Sequence, residues 1–139
     1  MLFRSIALAA GILSGCATLS FPAGSLADAA ERDLGKTNTQ AGLPATLSCA
    51  DGVNKWRKQA GYRPVNSRRA IDQASAGKRV SSPARGDLLI TQRGRYGHHV
   101  DVITAVNSDG TVTVIGANVN RMVALRILPA SAGIIIRPT

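Results

Sequence analysis

From Leu88 the chain reads Leu88-Leu89-Ile90-Thr91-Gln92, Arg93-Gly94-Arg95-Tyr96-Gly97, His98-His99-Val100-Asp101-Val102-Ile103-Thr104-Ala105-Val106, Asn107-Ser108-Asp109-Gly110 and Thr111-Val112-Thr113-Val114-Ile115. Its three apolar blocks have strand length and are rich in β-branched residues, which suit a pleated, half-buried surface. Leu88 to Gln92 reads as a buried strand, and a Gly-rich basic loop follows it. In the second block Val100, Val102 and Val106 share one face, while His99, Asp101, Ile103 and Ala105 share the other. Asn107 to Gly110 is a hairpin turn signal, so Thr111 to Ile115 is the returning strand. Val123 to Ile127 and Gly133 to Arg137 bring the expected sheet to about five strands.

Upstream the period changes from two to that of a helix. Ser25 is placed to cap a short helix through Ala27, Ala30 and Leu34 that Gly35 ends, and Lys36 to Pro44 reads as a loop. A better helix starts at Ser48, the expected N-cap, and stops at Gly61. Its apolar positions Val53, Trp56 and Ala60 fall on one helical face. Lys55, Arg57 and Lys58 are expected on its other faces or in its last turns, where cations suit the helix dipole. Asn66 to Gly77 predicts a second short helix. Helices first and an antiparallel sheet second read as α+β.

The chain has 139 residues, 45% of them hydrophobic and 4% aromatic, which fits one domain with an aliphatic core. At its N-terminus, Arg4 precedes an apolar run from Ile6 to Leu13, too short to span a bilayer. The run ends in Leu13-Ser14-Gly15-Cys16, which resembles the lipobox of bacterial lipoproteins, so residues 1–15 are expected to be a signal peptide and Cys16 the lipidated residue. A plain secretory signal and a buried N-terminal helix are the alternatives. Residues 16–40 would then be a tether and short helix, and residues 41–139 the domain. That resemblance implies a lipid-anchored protein of the cell envelope, on the outer membrane facing the periplasm in a Gram-negative host.

Only two cysteines and two histidines are present. If Cys16 is lipidated, Cys49 is a lone thiol in an oxidising compartment, where it must be buried or used. A Cys16–Cys49 disulfide is the alternative, and the lipobox counts against it. Cys49 lies at a helix N-terminus, where unpaired amides and the dipole favour thiolate. A nucleophile also needs a base, which His98 or His99 could supply, and a third polar group to orient that base. Asn118, after the returning strand, is a candidate for the third. The other reading makes Cys49 a small core residue and the histidines hairpin caps. Adjacent histidines on a strand point to opposite faces, so no metal site is expected, and no cofactor is called for.

Four segments carry a further resemblance: Cys49-Ala50-Asp51-Gly52-Val53-Asn54-Lys55-Trp56, Ser82-Pro83-Ala84-Arg85-Gly86-Asp87-Leu88-Leu89, Gly97-His98-His99-Val100, and Asp109 to Asn118. In this order and spacing, from about Leu47 to Pro138, they resemble the CHAP family of cysteine- and histidine-dependent amidohydrolases and peptidases. That resemblance implies a papain-like (NlpC/P60-type) domain with helices packed on the sheet. It also implies Cys49 as nucleophile, His99 as base and Asn118 as the group orienting the imidazole, with His98 and Asp101 as possible auxiliaries. The chain departs from the family pattern at Ser48, at Gly52 (where an aromatic is usual) and at Asp101 (where Gly is usual). The Asp101 carboxylate could tune the imidazole or repel an acidic substrate.

Seventeen Lys and Arg against eight Asp and Glu give a net charge of +9. Arg57, Lys58, Arg63, Arg68, Arg69, Lys78, Arg79, Arg85, Arg93 and Arg95 crowd between the nucleophile helix and the histidine strand, and suggest an anionic partner. An export signal and few aromatics argue against nucleic acid and for an envelope polymer, peptidoglycan above all. The sequence thus reads as an envelope lipoprotein that hydrolyses amide bonds in peptidoglycan. The alternative is a catalytically degenerate domain of the same fold that binds anionic envelope polymer or a partner protein.

Overall fold

A computed structural model describes residues 25–139. The expected signal segment and Cys16 lie outside the described residues. Two helices come first, α1 (Ser25–Asp33) and α2 (Cys49–Gln59), followed by a 3₁₀ segment (Ala70–Ala76). Six strands follow: β1 (Gly77–Val80), β2 (Leu88–Arg93), β3 (Gly97–Val106), β4 (Thr111–Val119), β5 (Met122–Pro129) and β6 (Gly133–Pro138). They form one antiparallel sheet in the order β1-β6-β2-β3-β4-β5. The α+β expectation holds, with one strand more than the five anticipated. The addition is β1, four residues with two exposed charges that pair only with β6 as an edge.

Both helices cover one face of the sheet. Leu26, Ala27, Ala29 and Ala30 of α1 and Ala50, Val53 and Trp56 of α2 bury against Leu88, Ile90, Val100, Val102, Ile115, Ala117 and Val123. The boundary expected near residue 41 therefore separates no packing unit, since α1 completes the same core. On the opposite face Leu89, Ile103, Val112, Val114 and Ile135 form a second cluster. Gly52 explains itself here: a Cβ at that position would lie 2.7 Å from the Cβ of Ala117. The helix accepts a propensity cost of about 1 kcal/mol so that α2 can lie close on β4.

Three polar groups, the buried Asp33 and Asp87 and the half-buried Asn54, fasten the loops. The Asp33 carboxylate receives Lys55 Nζ at 2.7 Å, Lys36 Nζ at 2.9 Å and the Trp56 indole N–H at 2.9 Å, tying α1 to α2. Asp87 accepts the Ala84 N–H at 2.8 Å and two N–H groups of Arg137 at 3.0 Å, closing the Pro83-to-Asp87 turn onto β6. Asn54 donates to the carbonyls of Val65 and Ser67 and accepts the Val65 N–H. Those bonds satisfy the backbone of 65–67 in a non-helical form, which is why the helix expected over 66–77 is reduced to the 3₁₀ segment. Arg57, expected at the surface, is fully buried and donates to Gln73 Oε1 at 2.9 Å and the Ala76 carbonyl at 3.1 Å. With only neutral acceptors around it, burial lowers its pKa.

Burial alone would raise the Asp33 pKa, but the donors from Lys55, Lys36 and Trp56 outweigh it and hold the carboxyl at about 2, against an ordinary 3.8. A pKa depressed on folding contributes stability that is complete above the unfolded value and is lost as pH falls through the folded one. The parent should therefore lose about 2 kcal/mol more between pH 4 and pH 2 than Asp33→Asn does, as read by urea denaturation. Equal acid sensitivity in both proteins would contradict this role for Asp33.

Candidate active site

Cys49 opens α2 two residues after Leu47, whose φ of 53° swings the chain into the helix. Ser48 occupies the expected cap position, but its side chain makes no capping bond, and its buried Oγ has no partner among the described residues. The helix start is therefore held by packing and the backbone turn, with the Gly52 N–H bonded to the Ser48 carbonyl and the Ala50 amide acting on the Cys49 thiol. The thiol is free and 7% exposed. It reaches the stretch of β3 where the ladder to β4 has ended: β3 starts at Gly97, yet its pairing with β4 begins only at Val102. There the amide of Val100 and the His99 ring are the neighbours that favour the charged form of the thiol.

His99 and Asp101 are two residues apart on β3 and so share a face. The Nε2 atom of His99 lies 2.9 Å from Asp101 Oδ1, and both side chains are buried. Nε2 is engaged by the carboxylate, whereas the buried Nδ1 has no hydrogen-bond partner among the described residues and is the ring nitrogen left to act on the thiol. The second carboxylate oxygen, Oδ2, accepts Arg126 Nη2 from β5 at 2.8 Å. This contact runs beneath β4 at Gly116, where a Cβ would lie 1.9 Å from Asp101 Oδ1 and 3.0 Å from His99 Nε2. Sulfur, imidazole, carboxylate and guanidinium thus form one line from α2 to β5.

Asn118 is not on that line. Its backbone is left-handed (φ 61°) in the irregular stretch of the β4–β5 ladder between Gly116 and Val119. Its Oδ1 accepts the Asn38 side-chain amide, and its N–H donates to Asn38 Oδ1, both at 3.0 Å. The expectation that Asn118 orients the imidazole is corrected: the carboxylate of Asp101 holds the ring, and Asn118 lines the cleft. His98 lines the cleft too, half-buried beside the base. Arg126, Gly116 and Asn38 escaped the sequence reading. An arginine within the apolar alternation of Val123 to Leu128 was the one available signal.

Electrostatics follow from this geometry. Burial pushes the thiol of Cys49 up, but the hydrogen bond and positive charge of His99, with the amides of Val100 and Ala50, bring it below its ordinary value. Burial would lower the imidazole, yet the hydrogen bonds and charges of Asp101 and Cys49 raise it to about 9. The two shifts run in the same sense, toward thiolate and imidazolium. Above them opens a cleft of about 300 Å³ lined by Leu47, Arg68, Arg69, Arg93, Tyr96 and Asn118 among others.

Residues 38–118, more than half of the chain, match the family model described as the CHAP domain. Among solved structures the chain is similar to N-acetylmuramoyl-L-alanine amidase from Staphylococcus aureus, with 21% identity and a TM-score of 0.40. That similarity covers 62% of this chain and 24% of the other, so the chain spans about a quarter of the amidase structure. Among curated proteins none matches.

Gly116→Ala would drive a methyl group into the carboxylate–imidazole contact. It is expected to lower stability by about 1–3 kcal/mol. It should also slow alkylation of Cys49 by iodoacetamide at neutral pH, because displacing the imidazole leaves less of the thiol ionised. An alkylation rate equal to the parent's would contradict the alignment described here.

Proposed function

The chain belongs to the CHAP domain family, and from that premise we propose that it is a thiol amidohydrolase cutting amide bonds in peptidoglycan. The observation that carries this reading is the buried His99, held through Nε2 by Asp101 with its Nδ1 unpartnered among the described residues, and Cys49 beside it at the foot of an open cleft. Cys49 is the nucleophile, His99 the acid and base, and Asp101 the group that orients the ring and stabilises its charge.

In the proposed reaction the Cys49 thiolate attacks the amide carbonyl, forming the S–C bond while the carbonyl π electrons move to oxygen. The Cys49 amide at the N-terminus of α2, with a neighbouring donor, stabilises the resulting oxyanion in this reading. The imidazolium of His99 gives its Nδ1 proton to the leaving nitrogen, the C–N bond breaks, and an acyl-enzyme remains. Water then attacks the thioester, giving a proton to the now neutral His99, and the acid departs as thiolate is restored. Throughout, Nε2–H stays on Asp101, whose charge Arg126 keeps compensated, so the carboxylate need not take up the proton.

Lipid attachment at Cys16 would tether this domain in the cell envelope, beside its polymer, with the apolar run and lipobox of residues 6–16 supporting the anchor. The protein needs no metal or organic cofactor for this chemistry.

Purified sacculi incubated with the protein under reducing conditions should release new fragments detectable by mass spectrometry, their masses naming the bond. Cys49→Ala should release none, and Asp101→Asn should act more slowly by about 100-fold or more. Asn118→Ala should be affected less than Asp101→Asn. Sacculi of several wall types left intact by the parent would overturn the hydrolase reading, and retention on them without cleavage would favour a polymer-binding domain.

A further inference from the structure

The strong basic balance of the chain is not spread evenly. Arg57 is buried in the core, Arg85 pairs with Asp28 and Glu31, Arg137 with Asp87, and Lys55 and Lys36 with Asp33. These cations hold the fold together and offer little to a ligand. The cleft above Cys49 is different: three guanidinium groups, from Arg68, Arg69 and Arg93, line it, and no carboxylate does.

Those three are unequally engaged. Arg68 donates through Nε and Nη2 to Asp51 at 3.0 and 2.9 Å, which largely satisfies it. Arg69 meets its only carboxylate, Asp72 Oδ1, at 3.9 Å, beyond hydrogen-bond range. The other Asp72 oxygen is taken by the Ser67 hydroxyl at 2.6 Å. The side chain of Arg93, at the end of β2, has no ion-pair partner among the described residues. Two cations with free donors thus line the same cleft as the thiol, one from the loop fastened by Asn54 and one from the sheet. Like charges gathered with no carboxylate in hydrogen-bond contact create a positive potential that an anion would relieve.

We propose that Arg69 and Arg93 form an anion subsite, which takes a carboxylate borne by the substrate within a side chain's length of the scissile amide. This rests on the hydrolase reading of the same cleft and narrows it to acidic peptides. A guanidinium fork matches a carboxylate in shape and charge, whereas the corresponding carboxamide leaves its charge unanswered. Peptidoglycan stem peptides carry carboxylates of this kind, so the subsite selects among the many amides of the polymer by the charge beside them.

Thiol–disulfide exchange at Cys49 tests the subsite without needing turnover. The thiolate attacks one sulfur of an aromatic disulfide, forming a mixed disulfide and expelling an aryl thiolate. Dithiobis(nitrobenzoate), with a carboxylate on each ring, is compared with the neutral dithiodipyridine, on the full chain in a Cys16→Ala background so that Cys49 is the only thiol. The ratio of the two rates should fall by about threefold or more in the Arg69→Gln, Arg93→Gln double variant at low salt. Arg69→Glu with Arg93→Glu should lower it further, and added salt should reduce it in the parent. Arg32→Gln, on α1 and exposed, should leave the ratio at the parental value. A ratio unchanged in the double variant, or lowered equally by Arg32→Gln, would overturn the subsite while leaving the hydrolase reading intact. A Cys49 inert to both probes would overturn that reading and the subsite with it.

Discussion

A carboxylate with no access to water must be compensated by its neighbours, and Asp101 is the point on which this molecule turns. Its two oxygens are divided between the imidazole of His99 and the guanidinium of Arg126, so one fully buried charge fixes groups from two strands. The ring orientation, the atom left facing Cys49 and the raised imidazole pKa all descend from that division. Gly116 is its steric condition, because any side chain there would occupy the position of the carboxylate. The sheet contributes its own condition: β4 leaves β3 before Val102, and the N-terminus of α2 enters the opening with its thiol.

The same economy of charge runs through the rest of the chain. Asp33 and Asp87 are each buried and each surrounded by donors, and between them they tie α1, α2, the Pro83 turn and β6 into one body. Cations that looked like a ligand surface when counted along the sequence are divided by the fold into structural and free groups. Arg57 and Arg85 belong to the first kind, Arg69 and Arg93 to the second. What distinguishes them is the presence or absence of a close acceptor, which a charge count does not contain.

Much of the architecture was legible because it follows from short-range rules. The alternation of Val100 and Val102 against His99 and Asp101 was enough to put base and carboxylate on one face, and Asp109-Gly110 was enough to predict the β3–β4 hairpin. The spacing of Val53 and Trp56 identified the buried face of α2. What escaped depends on contacts remote in sequence. Asn118 was expected beside His99, but a ladder irregularity and the side chain of Asn38, 80 residues earlier, turn it away. Arg126 meets Asp101 only because an intervening strand carries a glycine, and β1 exists only as a partner for β6. The helix expected from Asn66 failed for a similar reason, since Asn54 supplies the hydrogen bonds that a helix would have made internally.

Asp101, acting through His99, favours the thiolate form of Cys49. Ultraviolet thiolate absorbance measured against pH, with Cys49→Ala subtracted, reads this directly. Thiolate should appear below the ordinary thiol pKa of 9.0 in the parent, and Asp101→Asn should move its appearance to higher pH. A Cys49 that titrates at or above the ordinary value, unmoved by Asp101→Asn, would contradict the account.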